Sequence, residues 1–151
     1  MELKTDRGQK AEELFFDGYN CSQAVLCAFS DVTGLDNETA LKLASSFGGG
    51  MGRMREVCGA VSGALMVLGL VKGYTDTKDV SFKKEHYALV QEFARRFKEK
   101  NGSIVCRELL KGVNITQGPV PEERTPDFYK KRPCPELIRQ AAEITQQMLK
   151  E

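Results

Sequence analysis

Residues 57–71, VCGAVSGALMVLGLV, form an uncharged run of fifteen between Glu56 and Lys72. A membrane span needs about 20 apolar residues, so the run is too short to cross a bilayer. An apolar segment of this length, bounded by charge, predicts a helix buried at the centre of a soluble domain with other helices packed round it. Gly59 and Gly63 stand at i,i+4 with Ala60 and Ala64 beside them, small residues that let a neighbouring backbone come close. Cys58 enters this core at one end.

The rest of the chain supplies the surrounding helices. Residues 5–17 carry Ala11, Leu14 and Phe15 on one side and stop at Gly18. In YNCSQAVLCAF, Asn20 is a good N-cap, which puts Cys21 at the first helical position, with Gly34 as the stop. Asp36 or Asn37 begins a third helix through about Ser46, with Leu41, Leu43 and Ala44 inward. A long helix over about 78–100 draws an apolar stripe through Phe82, His86, Leu89, Phe93 and Phe97. Ser103 caps a short helix, IVCRELL, that carries Cys106. All five prolines fall between Gly112 and Pro135, a stretch long enough to be a functional loop, and it delivers Cys134 to the start of a last helix with Leu137, Ile138, Ala141, Ile144, Thr145 and Met148 as its stripe. No run alternates as a strand would. The expected fold is all-α: one domain over 1–151, a compact bundle of about five to seven helices round a central apolar helix.

Lys and Arg number 22 against 21 for Asp and Glu, a net charge of +1. That balance gives no nucleic-acid groove and no polybasic membrane anchor, both of which need concentrated positive charge. The N-terminal MELKTDRGQK has charges where a signal peptide needs an apolar segment, so the expected location is cytoplasmic. In a reducing compartment five cysteines point to free, metal-bound or redox-active thiols.

Four of the five share a position. Cys21, Cys58, Cys106 and Cys134 each stand in or just before the first turn of a predicted helix, where the macrodipole favours a thiolate. Arg53 and Arg55 before Cys58, and Lys130, Lys131 and Arg132 before Cys134, are expected to act in the same sense. Cys27 lies mid-helix among Val25, Leu26, Ala28 and Phe29 and reads as a core residue. The four are 37, 48 and 28 residues apart, without a CxxC, so neither a zinc finger nor a thioredoxin motif applies. Ahead of Cys58 stand Gly48, Gly49, Gly50 and Gly52, read either as a tight interhelical turn or as a cradle of backbone N–H groups for an anion or a sulfur cluster. His86, the only histidine, reads as a partly buried imidazole on its stripe.

The segments GYNCSQAVLCAF and SFGGGMGRMREVCGAVSGALMVLGL, followed by Cys106 and by Cys134 in RPCPEL, resemble the redox-active proteins named for the pattern C-GCAxxG-C-C. The resemblance runs from about Ala11 to Ile144 and departs at one point. Aligned on Gly63, this chain reads Cys58-Gly59-Ala60 where the pattern reads Gly-Cys-Ala, a displacement worth about 100° on a helix. The resemblance implies redox activity on a helical scaffold, with an iron–sulfur cluster as an allowed cofactor.

Three readings follow. In the first, Cys21, Cys58, Cys106 and Cys134 gather at one pole, either as ligands of an iron–sulfur cluster or as a dithiol/disulfide centre in which Cys58 attacks, with a redox partner that the sequence leaves unnamed. In the second the same four hold a structural zinc without turnover, in an interaction module. In the third the GGGMGR loop binds a phosphorylated small molecule and the cysteines are incidental. A homodimer is compatible with all three.

Overall fold

The computed structural model describes residues 5–151, and all regular structure in them is helical apart from one isolated antiparallel bridge between Val57 and Val105. Six helices have seven or more residues: Arg7–Phe16, Cys21–Cys27, Asn37–Ala44, Gly59–Lys72, Val80–Asn101 and Cys134–Lys150. Short helical turns at Ser30–Thr33, Cys106–Leu109 and Pro126–Lys131 join them. The all-α expectation holds.

Caps set several of the boundaries. Asp6 accepts from Gln9 N and opens the first helix; Asn20 and Gln23 form a reciprocal capping box at the second. Asp79 accepts from Phe82 N at the start of the long helix. Gly34 and Gly102 end their helices in the left-handed conformation that favours glycine.

The apolar run becomes the helix Gly59–Lys72, which packs mainly on Cys21–Cys27 and Cys134–Lys150. Gly59, Ala60, Val61, Gly63, Ala64, Val67 and Leu68 are buried, whereas Leu65 and Met66 are half-buried and Leu70 is exposed. Neighbours therefore cover it on one side rather than on all. The small residues do what their size allows: a Cβ on Gly63 would stand 2.6 Å from the Ser22 carbonyl oxygen. The core is completed by Leu26, Phe29, Ile138 and Met148, and by Phe93 and Phe97, stacked 6.1 Å apart.

Three expectations are corrected. The apolar stripe of the long helix is buried only in its second half; Leu89 is half-buried and Phe82 exposed. Leu43 also faces solvent, and Ala40 and Ala44 take the inward positions. The proline-rich stretch contains the helix Pro126–Lys131, whose Thr125 side chain caps Phe128 N and whose Pro126 needs no N–H partner in the first turn. No helix among the described residues is long and apolar enough to cross a membrane.

Candidate functional site: a four-cysteine cavity

Each of the four cysteines is placed by a helix start. Cys21 is the first residue of its helix, held by the Asn20–Gln23 box, in which Gln23 N donates to Asn20 Oδ1 at 2.8 Å. Cys58 is the N-cap of the helix Gly59–Lys72. Its N–H donates to the Ile104 carbonyl at 2.8 Å, and Cys106 N–H donates to the Glu56 carbonyl at 2.6 Å, so the Val57–Val105 bridge draws these two cysteines alongside. Cys134 opens the last helix after Pro133. All four line one cavity of about 320 Å³. Cys58 and Cys106 are buried, Cys21 and Cys134 half-buried. Cys21 and Cys134 each interact electrostatically with the other three. Cys27 is a core residue, as expected.

Residues 48–56 wrap one side of the cavity in an unusual conformation. Gly49, Gly50 and Gly52 have positive φ, and so do Met51, Arg53 and Arg55. Side chains in the left-handed region cost about 1–3 kcal/mol each and persist only where the surroundings hold them. Here the loop is held by its own backbone: Arg53, Arg55 and Glu56 N–H groups donate to the Gly48, Gly49 and Gly50 carbonyls at 3.0, 3.1 and 2.9 Å. Those three amides are therefore spent inside the loop, whereas Gly49 N–H faces the Cys21 sulfur. Gly48, Gly49 and Gly52 line the cavity. Gly50 is packed beneath Cys106, where a Cβ would stand 2.7 Å from the Cys106 Cβ.

The loop's left-handed turns aim its arginines across the cavity, away from Cys58. Arg55 Nη1 lies 4.0 Å from the Cys106 sulfur, and Arg53 Nη2 bonds Thr116 Oγ1 at 2.8 Å. Glu122 is the single acidic residue of the lining, which also carries Arg53, Arg55, Arg124 and Arg132. Its carboxylate accepts from Arg132 and from Thr116 N at 2.7 Å, and stands 3.5 and 3.8 Å from Arg53 and Arg55. Arg124 is satisfied by the Phe15 and Tyr19 carbonyls at 3.0 and 3.2 Å and lies over the Phe15 ring.

The thiols respond to burial more than to helix ends. Burial raises the pKa of Cys21, against the pull of Gly49 N–H. Cys58 is pushed well above its ordinary value by burial and then by Cys21, although Ala60 and Val61 N–H groups face its sulfur. Burial pushes Cys134 up to about 12, with Arg132 opposing. The expectation that helix N-termini and arginines lower these values is thus overturned at Cys21, Cys58 and Cys134, since desolvation of the charged form outweighs a partial dipole charge.

Among the described residues no three His, Cys, Asp or Glu side chains are placed to hold a metal ion. His86 stands apart from the cysteines, edge-on to Tyr74 at 6.0 Å. Glu122 and Arg124 went unmarked in the sequence. Their only signal was their place in the long proline-rich stretch.

The chain is 25% identical to an uncharacterized protein of Archaeoglobus fulgidus, over an alignment of 158 residues that covers 100% of this chain and 98% of the relative. No solved structure matches it. The model of one family, described as "Putative redox-active protein (C_GCAxxG_C_C)", matches residues 19–148, a span that begins just before Cys21 and contains the whole cavity wall except Phe15. The chain belongs to the C_GCAxxG_C_C family.

Proposed function

We propose that the four-cysteine cavity is a dithiol/disulfide centre, in which pairs among Cys21, Cys58, Cys106 and Cys134 are oxidised and reduced in turn. The observation that carries this reading is that four cysteines distant in sequence line one cavity while the fifth is packed in the core. Disulfide chemistry needs two sulfurs at a time. A tetrahedral zinc needs all four at once within about 2.3 Å of one point. In the reaction two thiols lose two electrons and two protons as the S–S bond forms, and a small disulfide that takes them up leaves as two thiols. The test is equilibration of the protein in graded glutathione redox buffers, followed by alkylation and intact mass. The expected result is loss of two or four alkylatable thiols with Cys27 still reactive after denaturation, and loss of the first pair on Cys21→Ser or Cys134→Ser. Five alkylatable thiols across the whole series would refute it.

One observation favours a second reading, an iron–sulfur cluster held by the same four residues. Each sulfur has a donor beside it: Gly49 N–H at Cys21, Ala60 and Val61 N–H at Cys58, Arg55 at Cys106 and Arg132 at Cys134. Donors so placed stabilise anionic sulfur and tune a cluster's potential. Such a cluster would supply one-electron transfer. Iron and acid-labile sulfide in anaerobically purified protein, lost together in a quadruple Cys→Ser variant, would decide for it.

A further inference from the structure

We propose that the cysteine cavity binds a small organic anion, its carboxylate or phosphate head on Arg55 and its carbon body on the apolar wall. The proposal deepens the dithiol reading by naming a ligand class for the same cavity, yet it concerns binding to the reduced protein and needs no turnover.

The cavity has too little negative charge of its own. Four guanidinium groups meet one carboxylate on its wall, in a chain whose net charge is only +1. Arg124 is accounted for by two carbonyls and a ring. Glu122 must then serve Arg53, Arg55 and Arg132, and its oxygens are already occupied by Thr116 and Arg132.

Arg55 is where the shortfall is greatest. The residue is 6 % exposed, and its partners are Thr116 O at 3.5 Å, Glu122 at 3.8 Å and the Cys106 sulfur at 4.0 Å. Its Nε has no hydrogen-bond partner among the described residues. Arg7, at 4 % exposure, shows how this protein treats a structural buried arginine: its Nε is also unpartnered, but its Nη atoms reach Asp31 at 2.5 and 2.8 Å and Ala28 O at 2.9 Å. A buried guanidinium without close acceptors is costly, and an oxyanion offers the paired acceptors that fit its fork. The left-handed backbone at Arg53 and Arg55 is a second cost borne to keep both side chains at the cavity.

The remainder of the wall sets the rest of the ligand. Leu109, Leu110, Phe128, Leu137 and Pro121 face the same space. With about 320 Å³ available, the cavity suits a small molecule that has one charged end.

The test uses the reduced, full-length protein at constant ionic strength. Four probes separate head from body: benzoate and phenyl phosphate carry both, inorganic phosphate only the head, and benzyl alcohol only the body. Calorimetric titration is run beside the rate at which iodoacetamide alkylates the native protein. The expected result is saturable binding of benzoate or phenyl phosphate, slower alkylation when either is bound, and no binding of benzyl alcohol. Arg55→Gln should weaken binding at least about tenfold, as loss of a charge-assisted hydrogen bond does. Arg55→Lys, which keeps charge but loses the fork, should lie between, and Arg96→Ala on the long helix should leave binding unchanged. Absence of saturable oxyanion binding by wild type, or equal binding by Arg55→Gln, overturns the proposal. Inorganic phosphate binding as tightly as phenyl phosphate overturns the organic part of it. Should Arg55→Gln fail to fold, the wild-type probe series and Arg55→Lys decide. Anion binding without disulfide formation in redox buffer would sink the dithiol reading alone; disulfide formation without anion binding would sink this one alone.

Discussion

Two glycines of the helix Gly59–Lys72 should answer the same substitution with opposite signs. In a solvent-exposed helix interior, Gly→Ala gains about 1 kcal/mol from the smaller entropy of the unfolded chain. At Gly69 an added Cβ meets nothing within 4 Å, so Gly69→Ala should stabilise by about 0.5–1 kcal/mol. At Gly63 the same carbon would stand 2.6 Å from Ser22 O, 3.1 Å from Val25 Cβ and 3.3 Å from Ser22 C. Two of those three atoms are backbone and cannot rotate away, so the helix Cys21–Cys27 must shift bodily. Overpacking of this kind costs about 1–3 kcal/mol, which offsets the propensity gain and leaves Gly63→Ala up to about 2 kcal/mol less stable than wild type. Urea melts under reducing conditions should therefore separate the two variants by about 0.5–3 kcal/mol at unchanged m, or roughly 1–12 °C in Tm for a chain of this size. Because Ser22 follows Cys21, Gly63→Ala should also change the native alkylation rate of Cys21, and Gly69→Ala should not. If Gly63→Ala stabilises as Gly69→Ala does, the helices are not in the contact described and the placement of Cys21 against the helix Gly59–Lys72 is wrong.

Other outcomes follow from single groups. Arg7→Ala removes a bidentate partner of Asp31 and the donor to the buried Ala28 carbonyl, so it should cost about 2–3 kcal/mol in a urea melt. Glu122→Gln leaves Arg53, Arg55 and Arg132 without their shared carboxylate; stability should fall by about 3 kcal/mol and limited trypsin digestion should begin at Arg124. Cys134 has a folded-state pKa of about 12 against an ordinary 9.0, so its contribution to stability is complete below about pH 9 and is lost as pH rises from there toward 12. Urea midpoints of the reduced protein between pH 8 and 10 should fall on the alkaline side, and Cys134→Ser should flatten that fall; an equal slope in both would refute it.

Where the sequence was readable, the cause was local. The Asn20 cap and the spacing of Gly59 and Gly63 act within a few residues, and each helix they announce is present. Thr125-Pro126-Asp127 is an equally local helix start, but it was hidden among prolines that read as irregular chain. What could not be read depends on distant chain. Phe82 continues the periodicity of Phe93 and Phe97 exactly as a buried residue would, and only the reach of neighbouring helices leaves it in solvent. The sign of the thiol shifts was missed for the same reason, since a helix dipole is visible in sequence and the burial that outweighs it is not. Arg55 precedes Cys58 by three residues yet contacts the sulfur of Cys106, 51 residues on, because its φ of 61° turns the chain in a direction that side-chain order does not reveal.

The one-residue displacement of the motif cysteine has a steric explanation. A side chain at position 59 would begin in space that the Cys21 sulfur occupies, with Phe47 O at 2.7 Å on another side, so with Cys21 placed as it is only glycine fits there. Position 58 avoids that conflict because it precedes the helix: as N-cap, with ψ of 130°, Cys58 is not bound to the 100° step between successive helical residues. Its sulfur still reaches the cavity, near enough to Cys21 and Cys134 to interact with them electrostatically. The angular loss expected from the displacement is thus absorbed by the cap. Two sulfurs remain at the same helix start, one on the chain that enters it and one seated against its first glycine. That contact depends on Gly59, so the tolerance of position 59 for a side chain and the position of Cys21 are one structural question.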